Sequence, residues 1–178
     1  MKLQTLSIFF PALVFLACTQ AVDKTPKQVQ LPRTVQVDTA NFVVFPIKEA
    51  PYSPVRNCKP AKLSSKDLEK IETILLQQIG NYNREQEPKF REYLKEHPGK
   101  EANRKLFMID LKEYKRQLVA GTNNRGELLV WVNCFCNRHF ENWKKEIVSV
   151  EDGGKCFFNL TINLSKESCE EFYVNGNA

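Results

Sequence analysis

The sequence predicts an α+β domain, one main amphipathic helix packed on an antiparallel meander sheet, and three observations carry that prediction. Between Leu68 and Tyr82 apolar residues recur every three or four positions. In Leu128 to Cys136 and in Cys156 to Leu164 they recur every second position. Turn-forming clusters short enough to join neighbouring strands separate the later runs, so local antiparallel pairing follows a single major helix.

The chain begins with Lys2 and an uncharged run from Leu3 to Ala17 ending in Phe15-Leu16-Ala17-Cys18. That run has the length of an export-signal core, and Pro11 and its shortness argue against a membrane span, which needs roughly 20 apolar residues. Two cleavage readings follow, one at Thr19-Gln20-Ala21 and a preferred one before Cys18. The residues before Cys18 are similar to the lipobox of bacterial lipoproteins, with Phe15 where that pattern carries leucine, and the resemblance implies lipidation of Cys18. Thr19 to Asp38 are polar, contain Pro26 and Pro32 and lack periodicity, as expected of a flexible tether over 18–40 between an anchor and a single folded domain over 41–178.

Within that domain, Phe42-Val43-Val44-Phe45 ends at Pro46 and reads as an edge strand. The stretch from Ala50 to Lys62 holds Pro51, Pro54 and Pro60 and is expected to be loop. Ser64 or Ser65 caps a helix whose stripe is Leu68, Ile71, Leu75, Ile79 and Tyr82, with Gly80 as a place for it to end. A second short helix can open at Pro88, carry Phe90, Tyr93 and Leu94, and stop at Pro98-Gly99. A strand over Tyr114 to Ala120 turns through Thr122-Asn123-Asn124-Arg125-Gly126 into Leu128 to Cys136. Asp152-Gly153-Gly154 precedes the strand from Cys156, and Ser165-Lys166-Glu167 precedes a last strand near Glu170 to Val174.

The even positions of the two alternating runs are expected to bury against the helix. The odd positions Asn159, Thr161 and Asn163 are expected to meet water, as in a sheet covered on one side. Asn159 and Asn163 also open N-x-S/T glycosylation sequons, and Asp38-Thr39-Ala40 resembles a short bacterial O-glycosylation pattern. The odd row Leu129, Trp131 and Phe135, continued by Phe157, is the best candidate binding face. The competing expectation is that the Phe42 to Phe45 strand, or Phe140 and Trp143, simply cover it.

Lys and Arg number 26 against 21 Asp and Glu, a net charge of +5 of which the leader carries only Lys2. The signs alternate between Arg84 and Arg116, which reads as a solvated surface and argues against nucleic-acid binding. Beyond Cys18 lie Cys58, Cys134, Cys136, Cys156 and Cys169. In an oxidising compartment they predict up to two disulfides with the pairing open, including a bridge from Cys134 or Cys136 to Cys156. A soft-metal site from Cys134, Cys136, His139 and Cys156 is the weaker reading because the spacing is C-x-C, and so is a thiol paired with His139, which reads as a loop histidine at the end of a strand. No nucleophile elbow, zinc-protease, phosphate-loop or dinucleotide pattern occurs, so the expectation is a non-enzymatic protein with no cofactor and no metal.

Gln117-Leu118-Val119-Ala120-Gly121 resembles the Q-x-V-x-G pattern of cystatins, placed after the long helix and between two antiparallel strands. The resemblance implies a cystatin-like fold and, through Gln117, Val119 and Gly121 as a hairpin loop, inhibition of papain-like cysteine proteases. The family's glycine before the first strand has no counterpart here, and the second hairpin reads Asn163-Leu164-Ser165-Lys166 where cystatins carry Pro-Trp. From Trp131 through Gly153-Gly154 to Gly176 the chain also resembles small uncharacterised exported bacterial proteins. The expected protein is therefore an exported, lipid-anchored or secreted binding or accessory module of the cell envelope. Its partner is an unspecified protein or envelope ligand; protease inhibition and Cys/His metal or redox chemistry are the alternatives.

Overall fold

The computed structural model describes residues 39–99, 103–136 and 140–176; the leader, Cys18, Asp38, most of the tether and His139 lie outside the described residues. Ser64 starts the long helix α1 (Ser65–Glu96) with a reciprocal capping box. Its hydroxyl accepts from the Asp67 backbone N–H and the Asp67 carboxylate accepts from the Ser64 N–H at 2.8 Å. The expected stop at Gly80 and the separate helix at Pro88 are corrected to one continuous helix with Pro88 inside it. Gly80 keeps helical φ, and tertiary contacts carry the helix past Pro88. Asn83 pairs with both backbone groups of Ile109, at 2.8 Å each, and Phe90 and Tyr93 pack against Phe107. Thirty-two residues span about 48 Å. Strands of seven or eight residues span only about 25 Å, so the helix overhangs the sheet.

The strands are β1 (Phe42–Phe45), β2 (Lys59–Pro60), β3 (Lys115–Thr122), β4 (Leu128–Phe135), β5 (Phe157–Asn163) and β6 (Ser168–Val174). From β3 to β6 the sheet is an antiparallel meander, with Val132 opposite Leu118 and Leu160. It is a mixed sheet overall, because β1 joins the outer edge of β3 in parallel (Phe42 opposite Arg116) and β2 continues that edge antiparallel. Phe45 and Ile47 anchor the segment after β1 in the core on the sheet face away from α1, which fixes the direction in which β1 enters.

The main core is the even face. Val130, Val132, Leu160 and Ile162 are fully buried against Ile71, Ile74, Leu75 and Ile79, with Leu68 and Tyr82 packed at the margins. Tyr114 closes one end, its hydroxyl donating to the Lys155 carbonyl at 2.9 Å. A buried ion pair ties helix to sheet, Glu72 accepting twice from Arg116 Nη1 at 2.9 Å.

The odd face is covered as well, which corrects the expectation of a sheet wet on one side. Thr161 is 4% exposed and Asn163 0%. The Asn163 carboxamide donates to Glu170 at 2.8 Å and accepts from the Lys166 N–H at 3.1 Å, so turn geometry and not solvation explains this asparagine. Its sequon is closed in the folded protein. Two segments do the covering: residues 46–58 pack Ile47, Ala50 and Val55 on Val119, and residues 140–150 pack Trp143 and Val148 on Phe135.

Candidate functional site

The two covering segments stop short of one another, and the gap between them is a cleft of about 480 Å³ on the odd face. Its floor is Trp131 and Asn133 from β4 with Phe157 and Asn159 from β5. These are the outward positions of two adjacent central strands, so their side chains stand on one face by strand alternation alone. A volume of this size falls in the range of small-ligand sites, about 300–1,000 Å³.

Each wall is fixed by plugs and pins. On one side Ala50 and Val55 sink into the second core, the buried Ser53 hydroxyl donates to the Ala50 carbonyl at 2.8 Å, and Tyr52 is left 93% exposed at the rim. On the other side the segment from Trp143 to Asp152 is held by three carboxamides. Gln117 donates to the carbonyls of Trp143 and Glu146 at 2.6 and 2.7 Å and accepts from the Val148 N–H at 2.8 Å. Asn133 donates to the Val148 carbonyl at 2.7 Å, and Asn175 donates to the carbonyls of Val150 and Asp152. Alternate carbonyls at Glu146, Val148 and Val150 thus turn inward, which holds an extended chain over the sheet without a ladder.

The Trp131 indole N–H donates to the Asn159 Oδ1 at 3.2 Å, which orients both side chains on the floor. The carboxamide nitrogen of Asn159 makes no hydrogen bond among the described residues and remains available as a donor. The charged residues that line the cleft, Glu49, Lys145 and Glu146, are exposed members of the two walls and bring both signs. A floor of one indole, one phenyl ring and two carboxamides offers stacking and hydrogen bonding.

The candidate binding face of the sequence is therefore divided. Trp131 and Phe157 line the cleft. Leu129 packs beside the second core, and Phe135, 1% exposed, lies under Phe140 and Trp143, which corrects its place in an open row. Phe140 and Trp143 carry large apolar surfaces, and packing them edge-on against Phe135 buries Trp143 and half-buries Phe140.

The Q-x-V-x-G residues are not in a hairpin loop. They occupy the interior of β3, paired with Asn133, Trp131 and Leu129 of β4, while the hairpin itself turns at Asn123 to Glu127. Gln117 and Val119 are fully buried, the first as the wall pin and the second in the core beneath residues 46–58. A Cβ on Gly121 would lie 2.5 Å from the Cys58 Cβ and 2.8 Å from the Ile47 Cδ1, so this glycine permits the close approach of that segment. Each of the three has a structural reason to be what it is.

Of the cysteines, Cys136 and Cys156 form a disulfide that joins the end of β4 to the start of β5, and Cys58, Cys134 and Cys169 are free thiols. One bridge forms where up to two were expected, and it uses two of the sulfurs of the proposed metal set. The third, Cys134, is buried on the helix face, and burial pushes its thiol strongly upward from the ordinary range. Burial raises Cys58 and Cys169 too. Among the described residues no group of three His, Cys, Asp or Glu side chains is placed to hold a metal ion. No helix among the described residues is long and apolar enough to cross a membrane.

The carboxamide pins escaped the sequence reading. Their signal is a polar residue at an odd position between apolar ones, Gln117 opposite Asn133 in adjacent strands, which reads equally as a solvated face. Comparison of the chain with protein-family models, with curated proteins and with solved structures finds no match.

Proposed function

We propose that this is an exported, lipid-anchored, non-enzymatic binding or accessory module of the cell envelope that takes a small ligand in the cleft over Trp131. The observation that carries the reading is a walled cleft whose floor is an indole, a phenyl ring and two carboxamides, on the outward face of two central strands. Export is supported by the leader pattern ahead of Cys18 and by the Cys136–Cys156 disulfide, which is compatible with an oxidising compartment. A helix lying across an antiparallel meander is also the arrangement of the cystatin-like proposal. Inhibition of a papain-like protease is the less favoured function, because Gln117 and Val119 are buried within β3.

Chemical-shift mapping with a library of small uncharged molecules tests the binding reading. Hits that cluster on Trp131, Phe157 and Asn159 and vanish in Trp131→Ala support it; hits scattered over the surface, or none, contradict it. A Cys18→Ala variant separately tests the anchor, which is wrong if processing and membrane partitioning stay unchanged.

A further inference from the structure

Resting on that binding reading, we propose that the ligand of the cleft is a short uncharged saccharide, with one ring stacked on Trp131 and its substituents hydrogen-bonded by Asn159. Four observations favour this chemistry. The floor carries no charge, and the exposed charged groups of the walls, Glu49, Lys145 and Glu146, are of both signs, so nothing there selects an anion or a cation.

The second observation concerns backbone. The floor strands β4 and β5 are both paired on each side, β4 with β3 and β5, and β5 with β4 and β6, so the floor has no free strand edge for a peptide to extend. Along the wall the carbonyls of Glu146, Val148 and Val150 are already taken by Gln117, Asn133 and Asn175. Recognition on the floor is therefore by side chains, which suits a ligand that presents hydroxyls and carbon–hydrogen faces.

Third, Trp131 is half-buried beside the second core with its N–H already satisfied by Asn159, which leaves the part of the indole that lines the cleft as a stacking platform and the Asn159 amide nitrogen as a donor beside it. A sugar ring has both faces needed, an apolar one for the indole and equatorial hydroxyls for the amide. Fourth, Tyr52 stands 93% exposed at the rim, where a second ring of a short oligosaccharide would emerge from the cleft. An acyl chain fits less well, because Asn133 and Asn159 interrupt the apolar floor.

The test is calorimetric titration of the whole chain, purified from cells, with chitotriose, cellotriose, maltotriose and mannotriose, and in parallel with blocked uncharged tetrapeptides. At least one trisaccharide is expected to bind, with affinity falling roughly tenfold or more in Trp131→Ala. Asn159→Ala weakens the same ligand while the melting temperature stays near that of the parent, which keeps the test valid if the tryptophan variant folds poorly. Tetrapeptide binding lost in Trp131→Ala, with every trisaccharide silent, overturns the saccharide assignment and leaves the binding module standing. Silence of both classes overturns both. Trisaccharide binding indifferent to both variants places the site elsewhere and overturns the proposal.

Discussion

Gln117 accepts the backbone N–H of Val148 at 2.8 Å through its side-chain oxygen, across thirty-one positions of sequence, while its amide nitrogen holds the carbonyls of Trp143 and Glu146. One fully buried side chain on a central strand thus fixes the height of the segment that walls the cleft. Replacement by Leu keeps the volume and removes every bond. The expected cost is about 1–3 kcal/mol for the buried groups left unpaired, read as a lower denaturant midpoint, with faster amide exchange at Val148.

Two glycines are expected to respond oppositely to alanine. Gly121→Ala drives a methyl into Cys58 and Ile47 and is expected to destabilise by about 1–3 kcal/mol. At Gly80, inside α1, the added Cβ meets nothing closer than Arg84 at 3.9 Å, and alanine is expected to stabilise by about 0.5–1 kcal/mol. Paired melting curves check both, and equal signs contradict the placement of at least one.

The helix stripe and the even face of both alternating strands were legible in the sequence because a single requirement, burial on one side, repeats with the period of each element. Ile71, Leu75 and Ile79 meet Val130, Val132 and Leu160 for that reason. What escaped is set by contacts distant in sequence. Gly80 and Pro88 are local stop signals overruled by the bonds of Asn83 to Ile109 and the packing of Phe107. The parallel entry of β1 depends on where Phe45 and Ile47 find a core, and the burial of Asn163 on a partner in the next strand. The site was half visible: Trp131 and Phe157 stood out as a row, but the walls that make it a cleft are loops pinned by Gln117, Asn133 and Asn175.

The disulfide closes a loop with a sequence separation of 20. Its reduction is expected to cost about 3 kcal/mol by the loop-closure relation, visible as a lower melting temperature in reductant. Without reductant, alkylation of the folded protein is expected to leave Cys134 unmodified and to label Cys58 and Cys169 slowly, because burial raises all three thiols. Full unfolding exposes these three and never Cys136 or Cys156. A rapidly alkylated Cys134 contradicts its place under α1.

Glu127 knits two turns together, accepting from Asn123 and Arg125 of its own hairpin and from Lys166 beyond β5. Hydrogen bonding from Lys166, then Asn123 and Arg125, lowers its carboxyl from the ordinary 4.5 to about 2. A folded value below the unfolded one stabilises the protein above the unfolded value, and that contribution is lost as pH falls from about 4.5 towards 2. Acid titration of stability is expected to be shallower through that window in Glu127→Gln than in the parent. Identical slopes contradict the network.

The most direct test of the cleft is acrylamide quenching of Trp131 in a Trp143→Phe background, where Trp131 is the remaining tryptophan of the chain. Quenchable emission that is protected by a saturating trisaccharide is the expected result. Emission as shielded as that of a buried indole, or quenching unchanged by every saccharide and peptide tried, contradicts an open binding floor on this face of the sheet.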